Sequence, residues 1–427
     1  MSKKISILLA LLVLLSVFSG GILIPGQAQT GVAGSAQNAA IISTTAAVLK
    51  ETSELRELSI LREVKSGAQS RAEIQRMIIR NLDEETTPAE MHAAEVLLKA
   101  FGLAPGDFVY RTFLINLLTE QVAGYYDPKA QQFYLADWLE LEGQKPVMAH
   151  ELTHALQDQH FNLKRFEKWP KGDSDAELAA HALIEGDATL AMVHYMSRNP
   201  SVAMAFMRSL GAHEAASEQF NKAPRALRES LLFPYEEGSK WATKVYERGG
   251  WRMVSDAFRK LPQSTEQILH VDKYFAYEAP KKVALPNFKG LLGSTWKRID
   301  TDVNGEWGFF LILDEFLNNL SESRQAAAGW GGDSFALYEG RKPNEIFVAQ
   351  LTAWDTVEDA REFFDAYAKR TSRRYPEARE SRNGTRVEWQ TAAGGVVMEL
   401  RESRVAILEG IPSKANTNQL LRKIWQP

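Results

Sequence analysis

The chain has 427 residues, of which 45% are hydrophobic and 24% charged, and its formal net charge is -4. That length accommodates two or three cored domains, and the slightly acidic balance offers no footprint for nucleic acid or a polybasic membrane patch. There is no Cys, which excludes disulfides, thiolate metal sites, lipidated cysteines and cysteine nucleophiles together.

Lys3 and Lys4 precede an apolar run over residues 5–18, and Ser19, Gly20 and Gly21 follow it. Small residues at Gly26 and Ala28 fit cleavage just after Ala28, so residues 1–28 are expected to be a secretory signal. The mature protein would then be exported, periplasmic or extracellular, with no stable membrane insertion. An uncleaved N-terminal anchor is the alternative, because residues 5–23 are almost long enough to span a bilayer. Residues 29–44 are small, polar and Gly/Ala-rich and read as a flexible lead-in.

Residues 49–103 read as mainly helical, with a break at 84–88 and a stop at 102–105, and 111–123 continue as an apolar helix. Aromatic runs on both sides of Asp127-Pro128-Lys129 predict a hairpin over 125–135. A helix starting near Pro146 follows, and Ser174 with Glu177 forms a capping box for a second long helix to about 197. Residues 201–258 alternate short helices with Gly and Pro breaks, and 262–274 is a turn with a short helical piece. From 286 the texture changes to a helix at 309–320, a glycine-rich stretch at 329–332 and period-two strands at 345–351, 385–390 and 405–408. A helix at 357–369 lies among them. The expected class is α+β, with a mainly helical domain at 45–285 and a smaller α+β domain at 286–427.

The helix after the hairpin carries His150-Glu151-Leu152-Thr153-His154, an HExxH motif. Two histidines four apart share one helix face, so both imidazoles can reach one metal. Glu151 is offset by one residue, beside such a metal, where a general base takes a proton from the water that the metal activates. A chance HExxH is expected in roughly one chain in a hundred of this composition. The apolar stripe of Val147, Met148, Leu152, Ala155 and Leu156 further favours a structured helix.

A catalytic Zn²⁺ needs a third protein ligand. Glu185 sits in the small, apolar run Ala182-Leu183-Ile184-Glu185-Gly186-Asp187-Ala188, a costly place for an unpaired charge that zinc would satisfy. His160, six after His154, and His181, one turn before Glu185, are the alternatives. At this point the chain resembles the gluzincins, the thermolysin-like zinc peptidases, over residues 146–190. The likeness rests on Ala149 to Ala155, on Asp158 and on the helix with Glu185. It implies a zincin-like catalytic domain with His150, His154 and Glu185 as ligands and Glu151 as base. Two features depart from the pattern: the loop 161–171 is longer than thermolysin's, and Thr189 stands four after Glu185, where thermolysin has Asp, with Asp187 two after. His160 has the spacing of the third ligand in metzincins, which place a helix-breaking Gly where this chain has Gln157. The hairpin, the Glu185-Gly186-Asp187-Ala188 run and the stretch from Ser264 to His270 also resemble a group of exported bacterial proteins, a likeness that brings no known substrate.

In thermolysin-like enzymes a distal His or Tyr donates to the oxyanion, and chain order makes His270 the candidate here, with Tyr274, Tyr125 and Tyr126 behind it. His92, His194 and His213 read as structural. The hairpin edge is a candidate platform for an extended peptide. The expectation is an exported zinc metallopeptidase acting on a peptide or protein substrate. A zinc hydrolase of a non-peptide substrate and a non-catalytic envelope binding protein are the alternatives.

Overall fold

The computed structural model of the chain describes residues 31–138, 140–169, 172–211 and 218–426. The expected signal segment 1–28 and His213 lie outside them. The fold is mixed α+β, mainly helical in its first part and followed by a seven-stranded antiparallel sheet. None of the described helices is long and apolar enough to cross a membrane.

The first helix, α1 (Gly31–Arg56), occupies most of the segment expected to be a flexible lead-in, which corrects that expectation. Ile41, Thr45, Val48, Leu49, Thr52 and Leu55 recur at helical spacing and are buried, so packing holds the helix from Ile41 onward. Strand β1 (Lys65–Gln69) interrupts the expected helical region. Capping boxes open the next two helices: Ser70 with Glu73 at α2 (Arg71–Glu85), and Thr87 with Glu90 at α3 (Pro88–Phe101). Gly102 closes α3 in the left-handed conformation.

After α4 (Tyr110–Gln121) comes the hairpin of β2 (Gly124–Asp127) and β3 (Gln132–Ala136). β3 pairs with β2 antiparallel and with β1 parallel, so β2 is an outer strand of a three-stranded sheet. It lies against α5 (Leu141–Phe161), the helix that carries HExxH. A 3₁₀ turn (Leu163–Lys168) leads towards α6 (Ser174–Arg198). The cap of α6 is Asp173 rather than Ser174: its carboxylate accepts from the Ala176 N–H, while Ser174 gives its N–H and hydroxyl to Asp302.

Beyond α7 (Pro200–Gly211) and α8 (Glu218–Asn221) comes α9 (Arg225–Ala257), two helical stretches joined across a kink where several short helices were expected. Pro234 lies inside it without ending it, and the break falls instead at Gly249–Gly250, where Gly250 has φ 66°. Burial along the helix, from Leu227 to Val254, outweighs the local cost of the proline. Three short helices follow, α10 (Thr265–Leu269), α11 (Val271–Ala276) and α12 (Lys289–Leu292).

The last part contains β4 (Lys297–Asp302), α13 (Gly305–Leu317), α14 (Leu320–Ala327), β5 (Trp330–Glu339), β6 (Ile346–Trp354) and α15 (Val357–Arg374). It continues with β7 (Arg379–Asn383), β8 (Arg386–Thr391), β9 (Gly394–Arg401), β10 (Arg404–Ile411) and α16 (Thr417–Ile424). The strand order is β4-β5-β6-β10-β9-β8-β7. The apolar core runs on without a break from the helical part into this sheet, with the Phe233 and Trp307 rings 4.6 Å apart. A second cluster, with Phe288, Phe347, Leu408 and Leu420, includes residues of α16 and of the segment before β4.

Candidate metal centre

α5 and α6 pack against each other, and His150, His154 and Glu185 converge between them. His150 Nε2 lies 3.0 Å from Glu185 Oε2 and 3.1 Å from His154 Nε2, and His154 Nε2 lies 3.4 Å from the same Glu185 oxygen. All three side chains are buried. Burial opposes ionisation of Glu185, but the charge of His154 and hydrogen bonds from both imidazoles outweigh it and bring the carboxyl down to about 2. Burial likewise opposes a charge on His154, which Glu185 overcomes, raising that imidazole to about 9; in His150 burial prevails and lowers it.

These donors fit zinc. Tetrahedral ligands about 2.0–2.1 Å from Zn²⁺ stand roughly 3.3 Å from one another, the spacing of the triangle seen here. His150 Nδ1 and Glu185 Oε1 are buried without a hydrogen-bond partner. An ionised carboxylate with one bare oxygen, facing two imidazoles in a dry site, is poorly satisfied by protein alone and well satisfied by a cation.

Gln157 settles the tautomer of His154. Its amide nitrogen donates to the Ile184 carbonyl at 3.0 Å and to Asp187 Oδ2 at 2.9 Å, so its oxygen must face the ring. That oxygen lies 2.8 Å from His154 Nδ1, which therefore carries the proton. When a metal displaces the other ring proton, the Nε2 lone pair faces His150 and Glu185.

Glu151 also offers an oxygen within 4.8 Å of both imidazoles. It differs from Glu185 in being held from outside, because its Oε2 accepts the Tyr126 N–H of β2 at 3.0 Å. Tyr126 is fixed in turn by its hydroxyl, which donates to Asp158 at 3.0 Å, and Asp158 pairs with Arg62. The hairpin thus sets the orientation of Glu151 through its main chain.

The sequence did not single out Tyr235. It is buried on α9, its ring is stacked 5.9 Å from that of His150, and its hydroxyl is hydrogen-bonded to Glu185. Burial, the charges of Glu185 and Glu151 and that bond all keep the phenol protonated far above its ordinary pKa. Nothing in the local run Leu232-Phe233-Pro234-Tyr235 marks it, since only the course of α9 brings it here.

The other candidates are placed differently. His270 Nε2 bonds Glu306 at 2.9 Å, and both line a cavity with Glu237. Glu237 and Tyr235 are two apart on α9, on the order of 200° around its axis, so the cavity and the histidine pair meet different faces of that helix. His160 bonds the Ser59 carbonyl at 2.8 Å. The hydroxyls of Tyr125 and Tyr274 are taken by Gln69 and the Lys260 carbonyl. His181 is buried, with Nδ1 lacking a partner, and burial lowers its imidazole to about 4 against the charge of Glu185. His92 pairs with Glu339, and His194 lies among Tyr246 and Trp251. A second acidic group, Glu266, Glu278 and Asp355, is already filled by the Lys273 ammonium.

Residues 293–421, from the turn before β4 into α16, match the model of a domain of unknown function, DUF8575. No curated protein and no solved structure matches the chain.

Proposed function

We propose that the protein is an exported zinc-dependent peptidase whose ligands are His150, His154 and Glu185. The observation that carries this reading is the buried triangle of donor atoms, 3.0–3.4 Å on each side, with Glu151 next to it and tied to a separate strand. A zinc ion bound there would polarise a carbonyl and acidify a water molecule. Glu151 accepts the proton of the attacking water and passes it to the leaving amine, its carboxylate aimed by the Tyr126 N–H. Tyr235, exchanging its bond to Glu185, donates its hydroxyl in a hydrogen bond to the developing oxyanion, a task that its position beside His150 suits better than that of His270. The hairpin beside α5 is the candidate platform for an extended peptide, which would add to it through main-chain hydrogen bonds. The charge and apolar pattern of residues 1–28 support export.

The test is metal analysis of the purified protein together with cleavage of casein and a quenched peptide library. The expected result is one zinc per chain and cleavage that a chelator abolishes and added zinc restores. A protein that takes up no zinc overturns the proposal. One that binds zinc and hydrolyses only a non-peptide ester or amide keeps the chemistry and changes the substrate class.

A further inference from the structure

Arg56, the last residue of α1, is completely buried. Its Nε donates to Asp187 Oδ1 at 2.5 Å, Nη2 to Oδ2 at 3.2 Å and Nη1 to the Ser255 hydroxyl at 3.1 Å. The Trp251 ring covers the guanidinium at 4.6 Å. Stability alone does not account for such a pair, since desolvation cancels most of its attraction and apolar residues of similar volume serve about as well. The pair does something that apolar residues cannot. It presents Asp187 Oδ2, at a fixed position, to the amide nitrogen of Gln157. With the Ile184 carbonyl on the same nitrogen, this decides which way the amide faces, and hence which nitrogen of His154 carries the proton.

We propose that Arg56 is a positioning residue of the metal centre, acting through Asp187 and Gln157 to keep the His154 Nε2 lone pair directed at His150 and Glu185. The inference rests on the metal-centre reading above. It makes α1 a working part of the site, although this helix contributes no ligand. Partners that orient a ligating imidazole typically change metal affinity about 10–100-fold when they are removed.

The experiment measures zinc affinity of the full-length protein by competition with a chromophoric chelator, and the visible spectrum of the cobalt-substituted form. Gln157→Met is nearly isosteric and cuts the relay while leaving Arg56 and Asp187 paired. Its affinity is expected to fall about 10–100-fold, with a displaced cobalt spectrum. In a second variant Arg56→Met and Asp187→Leu are combined, so that no charge is stranded, and Gln157 remains without its anchor. It should lose affinity in the same direction, which a purely structural role for the pair would not produce in the folded protein. Wild-type affinity and spectrum in both variants overturn the relay. Loss in Gln157→Met alone overturns the part assigned to Arg56. A wild type that binds no zinc overturns the metal-centre reading itself and is thereby distinguished from failure of the relay.

Discussion

Gly186 of α6 and Gly238 of α9 meet backbone to backbone: a Cβ on Gly186 would stand 2.2 Å from the Gly238 carbonyl oxygen. The reverse substitution would put a Cβ 2.3 Å from the Ala182 carbonyl oxygen. Glu185 and Tyr235 lie next to this contact, so the close approach of the helices is what brings the phenol to the carboxylate. Gly186→Ala must therefore push the two helices apart. The expected cost is about 1–3 kcal/mol in urea unfolding, with lower zinc content in the folded protein. Wild-type stability and zinc content in this variant would show that the contact yields without consequence.

Removing candidate ligands singly separates the three choices for the third position. Glu185→Ala should lose most of the bound zinc, because it removes the oxygen that faces both imidazoles. His160→Ala should retain it, since that ring is engaged with the Ser59 carbonyl. His181→Ala should also retain it. Metal retained in Glu185→Ala and lost in either histidine variant reassigns the ligand.

What the sequence made legible was local. Two histidines four apart, a capped helix with Glu185 among small residues, and aromatic runs around Asp127-Pro128-Lys129 each declare themselves within a turn or a hairpin. Tyr235 and the relay from His154 to Arg56 join residues far apart in sequence, 131 positions in the case of Arg56 and Asp187. No periodicity encodes such a meeting. Strand β1, Lys65-Ser66-Gly67-Ala68-Gln69, has no β-branched residue and owes its form to pairing with β3. β5 is buried along nearly its whole length, which erased the alternation that marks a half-exposed strand. Pro234 signalled a break that tertiary burial overrides.

Tyr235 and His270 can be told apart kinetically. Tyr235→Phe removes only the hydroxyl and should lower kcat by about 10²–10³-fold with zinc retained. His270→Ala should leave kcat near wild type, because that imidazole is bonded to Glu306 in a cavity that meets a different face of α9 from the histidine pair. The opposite pair of results would restore His270 as the donor and imply that the cleft closes around it.

A pH effect is expected away from the candidate metal centre. Burial raises the Asp302 carboxyl from 3.8 to about 7, against hydrogen bonds from Ser174 that lower it. The folded state thus holds a proton that the unfolded chain releases at lower pH. Its contribution to stability is fully present below about pH 4 and is lost as the pH rises towards 7, by at most about 1.4 kcal/mol per unit. Asp302→Asn mimics the protonated group and should remove this dependence. Urea unfolding at pH 4, 5.5 and 7 should therefore show the wild type losing ground to the variant as pH rises. A constant difference between them would mean that Asp302 is ionised throughout.

Glu151→Gln separates catalysis from metal binding. The amide is nearly isosteric, and its oxygen can still accept the Tyr126 N–H, so the hairpin and α5 should keep their relation. Glu185, not Glu151, faces both imidazoles at ligand spacing, so zinc should stay. What is lost is the capacity to take a proton from the attacking water. General-base assistance is worth about 10²–10⁴-fold, so hydrolysis of casein or a quenched peptide should fall by at least that factor at unchanged zinc content. Loss of zinc along with activity would make Glu151 a ligand and move the search for the base elsewhere. Equal turnover in variant and wild type would remove Glu151 from the chemistry altogether.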